Sequence, residues 1–383
     1  MDGTRTWEIS KAYDELMELL ADFDDEFMTG PNQVADDEQL VVMGYKWIFS
    51  ILQVAMDVYL WGDSAAPRFV DIVGPYKKWG GDNTDAYYQF APVDPGRTYT
   101  VRGTAGDAVY FSLTVYGGPN DGNYTTRIVG IVNNRDLELG PNGEFEFLMG
   151  PEKPEGHEGV FLQLDSDAVH AITRDYLVDA RSGQRVDWRI EATERPATYR
   201  ESDAEAARRF RAVITWLKDQ AAMIPIPVGQ QSDVDETRNL GHRANPESNR
   251  FDDPYPVPEN NFGWSAGDAA YAFGKWDLAP DEALVIEGTS PECAFWSLNP
   301  WSPFLHTFNY DYERLTLNHG QAELNDDGSF TIVLAHETPD HPNGLSLQGV
   351  RRGFLCFRWF LPERTPDPLT TRVIKASEVK DLA

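Results

Sequence analysis

Two cysteines in 383 residues, Cys293 and Cys356, are too few for a disulfide framework or a multi-thiolate zinc site. Basic residues are scarce as well: 33 Lys and Arg stand against 62 Asp and Glu, a formal net charge of −29. A surface that acidic repels phosphate backbones and anionic headgroups, so general electrostatic binding of nucleic acid or of a membrane is excluded. The start Met1-Asp2-Gly3-Thr4-Arg5 lacks the basic residues and apolar run of a secretory leader. With so few cysteines, this predicts a cytoplasmic protein. The longest apolar stretch, Leu40 to Trp61, is interrupted by Lys46, Gln53 and Asp57. It reads as a buried or interface helix rather than a membrane span, which needs about 20 apolar residues. No G-x-G-x-x-G fingerprint and no H-x-H or H-x₃-H pair is present, so neither a cofactor nor a metal is expected.

What the chain does have is core-forming material, 41% hydrophobic and 12% aromatic, which excludes disorder. Ile9, Tyr13, Leu16, Leu20, Phe23 and Phe27 recur at helical spacing before Gly30-Pro31, and a second helix is predicted from an Asp36 cap to Gly62. From Asp85 to about Val178 the pattern changes to short β-rich runs between turn formers such as Asp94-Pro95-Gly96 and Gly140-Pro141-Asn142-Gly143. A third helix follows, capped by Ser202 with Glu205 and carrying Ala206, Phe210, Val213, Ile214 and Leu217 on its apolar stripe.

The most informative feature is an internal repeat. Adding 185 to a position between 95 and 163 lands on an identical residue in 15 of 69 columns, among them Gly103-Thr104, Ser112-Leu113, Asn133, Glu138-Leu139, Gly143, Phe145 and Leu162-Gln163. Composition alone gives roughly 4. After a one-residue slip, Arg174-Asp175-Tyr176-Leu177 answers Arg358-Trp359-Phe360-Leu361. The predicted fold is therefore mainly β with helical additions, two repeated jelly-roll-like sandwiches behind a helical hairpin. The expected divisions are a helical region at 1–62, a first sandwich at 83–195, a linker helix and extended arm at 200–264, a second sandwich at 265–365 and a tail at 366–383. Aromatic residues in the arm, Phe251, Tyr255, Phe262 and Trp264, predict that it is ordered and packs down.

The stretch Asp82-Asn83-Thr84-Asp85-Ala86-Tyr87-Tyr88, and the run from Leu324-Asn325-Asp326-Asp327-Gly328 to Arg358-Trp359-Phe360-Leu361-Pro362, resemble bacterial tandem proteins. These pair the domains of unknown function numbered 1254 and 1214. The resemblance implies two sandwich domains with helical additions and brings no catalytic residues with it.

Candidate sites follow from the residues themselves. His306, His319, His336 and His341 of the second copy face Asp121, Asn134, Pro151 and Gly156 of the first, so they are not shared by the repeat. Copy-specific polar residues are where function is expected to diverge. The densest aromatic and polar mixture surrounds them. It predicts a pocket in the second sandwich, covered by the 225–264 arm, with His306 and Tyr310 as catalytic groups and Trp296, Trp301, Tyr312 and Arg314 binding substrate. The expected ligand is an apolar or aromatic small molecule, handled by a binding protein or by an enzyme of acid–base or hydrolytic type, with homo-oligomerisation open. Carbohydrate recognition or hydrolysis, and a purely structural role, are the alternatives. Gly263-Trp264-Ser265-Ala266-Gly267 has the G-x-S-x-G spacing but no convincing strand before it, so it reads as a turn. His336-Glu337 is a half-site at most, the acidic run Asp22, Asp24, Asp25 and Glu26 is a solvated helix face, and both cysteines read as buried thiols.

Overall fold

In the computed structural model of the chain, residues 6–30, 36–224, 247–258 and 263–382 are described. The alternating apolar and polar runs become strands, and the strands of each copy form two sheets. In the first copy β2 (Ala86–Pro92), β8 (Ala168–Tyr176), β4 (Tyr110–Gly117) and β5 (Arg127–Asn133) lie side by side, with β1 (Val70–Val73) on the β2 edge. The other sheet has the order β7 (Phe161–Gln163), β6 (Glu144–Gly150), β3 (Tyr99–Thr104), β9 (Asp187–Ala192).

The second copy repeats this path strand for strand. One sheet holds β12 (Ala269–Asp277), β18 (Arg352–Phe360), β14 (Phe295–Trp301) and β15 (Leu317–Asn318); the other runs β17 (Gly344–Ser346), β16 (Phe330–Ala335), β13 (Glu282–Gly288), β19 (Thr370–Lys375). In each copy the short strand β7 or β17 pairs parallel to its neighbour and every other pairing is antiparallel. Strands β1, β9 and β19 lie outside the runs that the sequence patterns marked: β1 is short, β9 alternates charged with apolar residues, and β19 falls in the expected tail, which instead pairs with β13.

The two larger sheets face each other. Tyr110 stacks on Phe360 at 4.6 Å, and Tyr176 meets Phe360 at 4.4 Å and Phe295 at 5.0 Å between ring centroids. Pairs of this kind each add about 0.5–1.5 kcal/mol beyond area burial. The molecule is thus layered as outer sheet, inner sheet, inner sheet, outer sheet.

Helices close one flank of this stack. Helix α1 (Glu8–Phe23) buries Ala12, Leu16, Leu19 and Phe23, so its apolar stripe is rotated from the expected one and Tyr13 is 46% exposed. In α2 (Glu38–Ala55) the cap is Asp37 rather than Asp36, its carboxylate accepting from the Leu40 N–H at 2.8 Å. The helical path continues to Leu60 through a wider π-type turn. This is the one described helix long and apolar enough to cross a membrane, but Trp47, Ile48, Ile51, Val54 and Ala55 are buried in the protein. Val42, Tyr45 and Phe49 remain exposed along its outer side. Helix α3 (Asp203–Ala221) has the Ser202 cap that its sequence announces, accepting from Glu205 N–H at 3.2 Å.

Of the arm, 225–246 and 259–262, including Phe262, lie outside the described residues. The described remainder forms β10 (Arg250–Phe251) and β11 (Tyr255–Pro256), which pair along the free edge of β12. Those two short strands extend a sheet, as β1 does in the first copy, while the arm's last residue, Trp264, packs on Trp79 and Phe90.

Candidate functional site

The pairing register assembles the repeat identities into a pattern. On β8, Arg174 lies opposite Tyr88 on one side and Ser112 on the other, and Ser112 lies opposite Asn133. On β18, Arg358 lies opposite Tyr271 and Ser297, and Ser297 opposite Asn318. Each inner sheet therefore carries one cross-strand row reading Tyr, Arg, Ser, Asn. Side chains two apart on a strand share a face, and Arg174 and Arg358 share theirs with Tyr176 and Phe360, the rings that meet between the copies.

Where the two rows approach lies a cavity of about 130 Å³. Tyr88, Arg174 and Ile172 line it from the first inner sheet, and Tyr271, Phe273, Cys356, Arg358 and Trp301 from the second. Trp79 with Gly80, Gly81 and Asp82 closes one side; Gln220 and Met223 at the end of α3, and Gly263, Trp264 and Ser265, close another. Trp79 is held by its indole N–H on the Ile72 carbonyl at 2.6 Å and packs edge-on to Trp216 at 5.0 Å and Trp264 at 5.7 Å. Gly81 has φ +80°, and a Cβ there would sit 2.8 Å from the Trp301 ring. Glycine is thus required twice over, for the backbone and for the close approach.

Both arginines are buried, 2% and 4% exposed. Arg174 donates to Thr114 Oγ1 at 3.3 Å, to the Tyr116 hydroxyl at 2.7 Å and to the Trp264 carbonyl, and lies over the Tyr88 ring at 5.2 Å. Arg358 donates to the Tyr88 hydroxyl at 3.1 Å, the Gly81 carbonyl at 3.1 Å and Cys356 Sγ at 3.5 Å, and lies 5.5 Å from the centre of the Trp301 ring. Its Nε–H has no partner, and neither has Nε2 of Gln220. Among the described residues neither arginine forms an ion pair with a carboxylate.

Two acids that feel the arginines are again repeat equivalents, placed just before β2 and β12. Asp85 feels Arg358, and burial nevertheless pushes its carboxyl up to about 7. Burial raises Asp268 as well, opposed by Tyr110, which donates to it at 2.6 Å, by Arg174 and by Asn133 at 3.3 Å. Asp82 lines the cavity with its backbone, the Trp301 indole donating to its carbonyl at 2.8 Å, while its carboxylate is taken by the Thr307 N–H and hydroxyl.

Of the residues proposed from sequence, Trp301 alone lines this cavity. Trp296 sits in the second sandwich's core, stacked between Phe330 and Phe357 at 5.2 Å each. Those rings fill the interior where a pocket was expected, and the cavity lies between the copies instead. His306 and Tyr310 gather around Lys78, which donates to Thr307 Oγ1 at 2.9 Å and sits 3.9 Å over the Tyr310 ring; burial lowers Lys78 to about 8. His306 is buried, its Nδ1 on the Thr307 carbonyl at 3.0 Å, and it borders an open groove against α2. Tyr312 is 83% exposed, and Arg314 is spent on the carbonyls of Pro342 at 2.5 Å and Gln321 at 3.1 Å, bracing loops. Ser265 is followed by β12 and not by a helix, so the nucleophile-elbow geometry is absent there; its carbonyl accepts from Tyr116 at 2.6 Å. Both cysteines are free, Cys356 buried and Cys293 half-buried. Among the described residues no three His, Cys, Asp or Glu side chains come together as a metal site.

Sequence reasoning missed Trp79, Tyr88, Tyr271, Gln220 and both arginines. Polar identities in mid-strand, Arg174 with Arg358 and Ser112 with Ser297, were the available signal, because a strand facing a core has no structural need of a shared arginine.

Comparison with known proteins agrees with the repeat. A family described as a protein of unknown function, DUF1214, matches at residues 84–180 and again at 277–364. It therefore matches both copies, including the stretch that the sequence likens to domain 1254. A crystal structure of an uncharacterised protein from Burkholderia cenocepacia is 23% identical, with a TM-score of 0.80 over 96% of this chain and 97% of that one. That of the VPA0106 protein from Vibrio parahaemolyticus is 12% identical, with a TM-score of 0.50 over 86% and 98%. These likenesses establish the fold. No curated protein matches the chain.

Proposed function

We propose that the protein binds an apolar or aromatic small molecule in the cavity between its two sandwiches. The observation that carries this reading is the lining itself, in which tryptophan and tyrosine walls from both copies surround a few convergent donors. A cavity of about 130 Å³ is on the order of those that take a single benzene-sized ring. Binding rather than turnover is what the lining supports. Burial pushes the Cys356 thiol and the Tyr271 phenol up, away from the ionised forms that nucleophilic or base catalysis needs at neutral pH. A sugar-binding jelly roll calls for exposed aromatic platforms, whereas Trp79 and Trp301 are 7% and 3% exposed. On this reading the chain is a cytoplasmic bacterial protein of the class that pairs domains 1254 and 1214.

Thermal unfolding in a panel of one-ring aromatic compounds tests the proposal, alongside the variant Ile172→Phe, which fills the cavity. Saturable stabilisation, reaching about 2.7 kcal/mol at a hundred times Kd, is expected for wild type and not for the folded variant. Stabilisation that is equal in both, or absent across the panel, overturns it.

A further inference from the structure

We infer that the ligand is a carboxylate, an organic anion held between the two repeat-related arginines; this rests on the cavity being the binding site. Charges of one sign placed together in a low-dielectric interior repel strongly, and each loses its hydration. Proteins resolve this by ion pairing, yet among the described residues Arg174 and Arg358 pair with tyrosines, carbonyls and a thiol and with no carboxylate. The partners they have are neutral hydrogen-bonding groups and ring faces, which orient a guanidinium without cancelling its charge. A bound anion supplies the missing charge.

The two arginines differ in what they have left. A guanidinium has five N–H groups in a planar fork that matches a carboxylate bidentately. The contacts of Arg358 use three, and its Nε–H, with no partner, is one of those remaining. Gln220, also lining the cavity and 2% exposed, has an equally unspent amide N–H. Unmade hydrogen bonds at buried donors are costly, and two of them beside one cavity call for an acceptor. Asp85 and Asp268 do not fill that need: neither lines the cavity, and among the described residues neither accepts a hydrogen bond from Arg174 or Arg358. The aromatic walls then select the body of the ligand, and the volume limits it to about one ring. Arg174 supplies the second positive charge, and Arg358 its unspent Nε–H.

Isothermal titration of the full chain with benzoate and with benzyl alcohol, its neutral counterpart of the same size, tests this. Hydrogen bonds to ionised groups are stronger than those between neutral ones, and benzoate is expected to bind at least 10-fold more tightly. Arg358→Met should abolish that preference. Should that variant fail to fold, Arg358→Lys keeps the charge and loses the fork; it should weaken benzoate about 10-fold and leave benzyl alcohol unchanged. Benzyl alcohol binding as tightly as benzoate overturns the carboxylate inference and leaves the small-molecule reading standing. Neither compound binding overturns both.

Discussion

The two inner sheets carry the same Tyr, Arg, Ser, Asn row, and the rows are used differently. In the first copy Arg174 is tied to Tyr116, Thr114 and the Trp264 carbonyl, while Ser112 Oγ has no partner. In the second, Arg358 keeps an unspent Nε–H, and it is Ser297 that is engaged, accepting from Asn83 at 2.9 Å and Asn299 at 3.0 Å. The two equivalent arginines thus differ in one respect, the unspent Nε–H of Arg358. The surroundings diverged with them. Asp175, next to Arg174, answers to Trp359, which is 0% exposed in the second core.

Removing Arg174 should have the largest effect. Arg174→Met removes three hydrogen bonds and strands the Trp264 carbonyl, and should cost about 3 kcal/mol of stability by denaturant titration. Arg358→Met also removes three contacts but relieves a buried Nε–H that has no partner, so it should cost less and show its effect in benzoate binding. Equal losses from both would erase that difference.

Acidity comes next. Asp85 has a folded pKa of about 7, raised first by burial, against an unfolded value near 3.9. The folded state thus binds more protons at this group between these values, so the contribution of Asp85 to stability is fully present below about pH 4 and is lost as pH rises towards 7. Between pH 5 and 8 the loss should be about 2 kcal/mol, and Asp85→Asn should flatten that slope more than Asp268→Asn does. Parallel slopes in the two variants would show that the acids, unlike the arginines, did not diverge.

Gly81→Ala forces a side chain into positive φ and against Trp301, and should cost about 1–2 kcal/mol while weakening benzoate through the shifted Gly81 carbonyl. The smallest effects separate the serines. Ser297→Ala should cost about 1 kcal/mol and leave the Asn83 amide unpaired, whereas Ser112→Ala should be close to neutral.

Much of the fold was legible because it rests on local signals. Turn formers such as Gly143 and Gly328, both at positive φ, and the alternation along the strands repeat at one offset, and Ser202 caps α3 as its sequence announces. The cavity was not legible in the same way. Its residues come from seven separate segments between Ile72 and Arg358, and only the pairing of β8 with β2 and β4, and of β18 with β12 and β14, brings them together. The expectation that function follows copy-specific residues led to His306 and Tyr310, which lie beside Lys78 outside the cavity. The shared arginines pointed to it. Two inner sheets packed face to face present the polar residues they share, Arg174 with Arg358 and Tyr88 with Tyr271, to the same space. Net charge misleads for the same reason, since −29 describes the surface while the enclosed site is cationic.

A crystal structure of the protein with benzoate tests the central claim most directly. The ring should lie between the aromatic walls of the two copies, with its carboxylate within hydrogen-bond distance of the Arg358 guanidinium. An empty cavity at saturating benzoate, or a carboxylate turned away from both arginines, contradicts it.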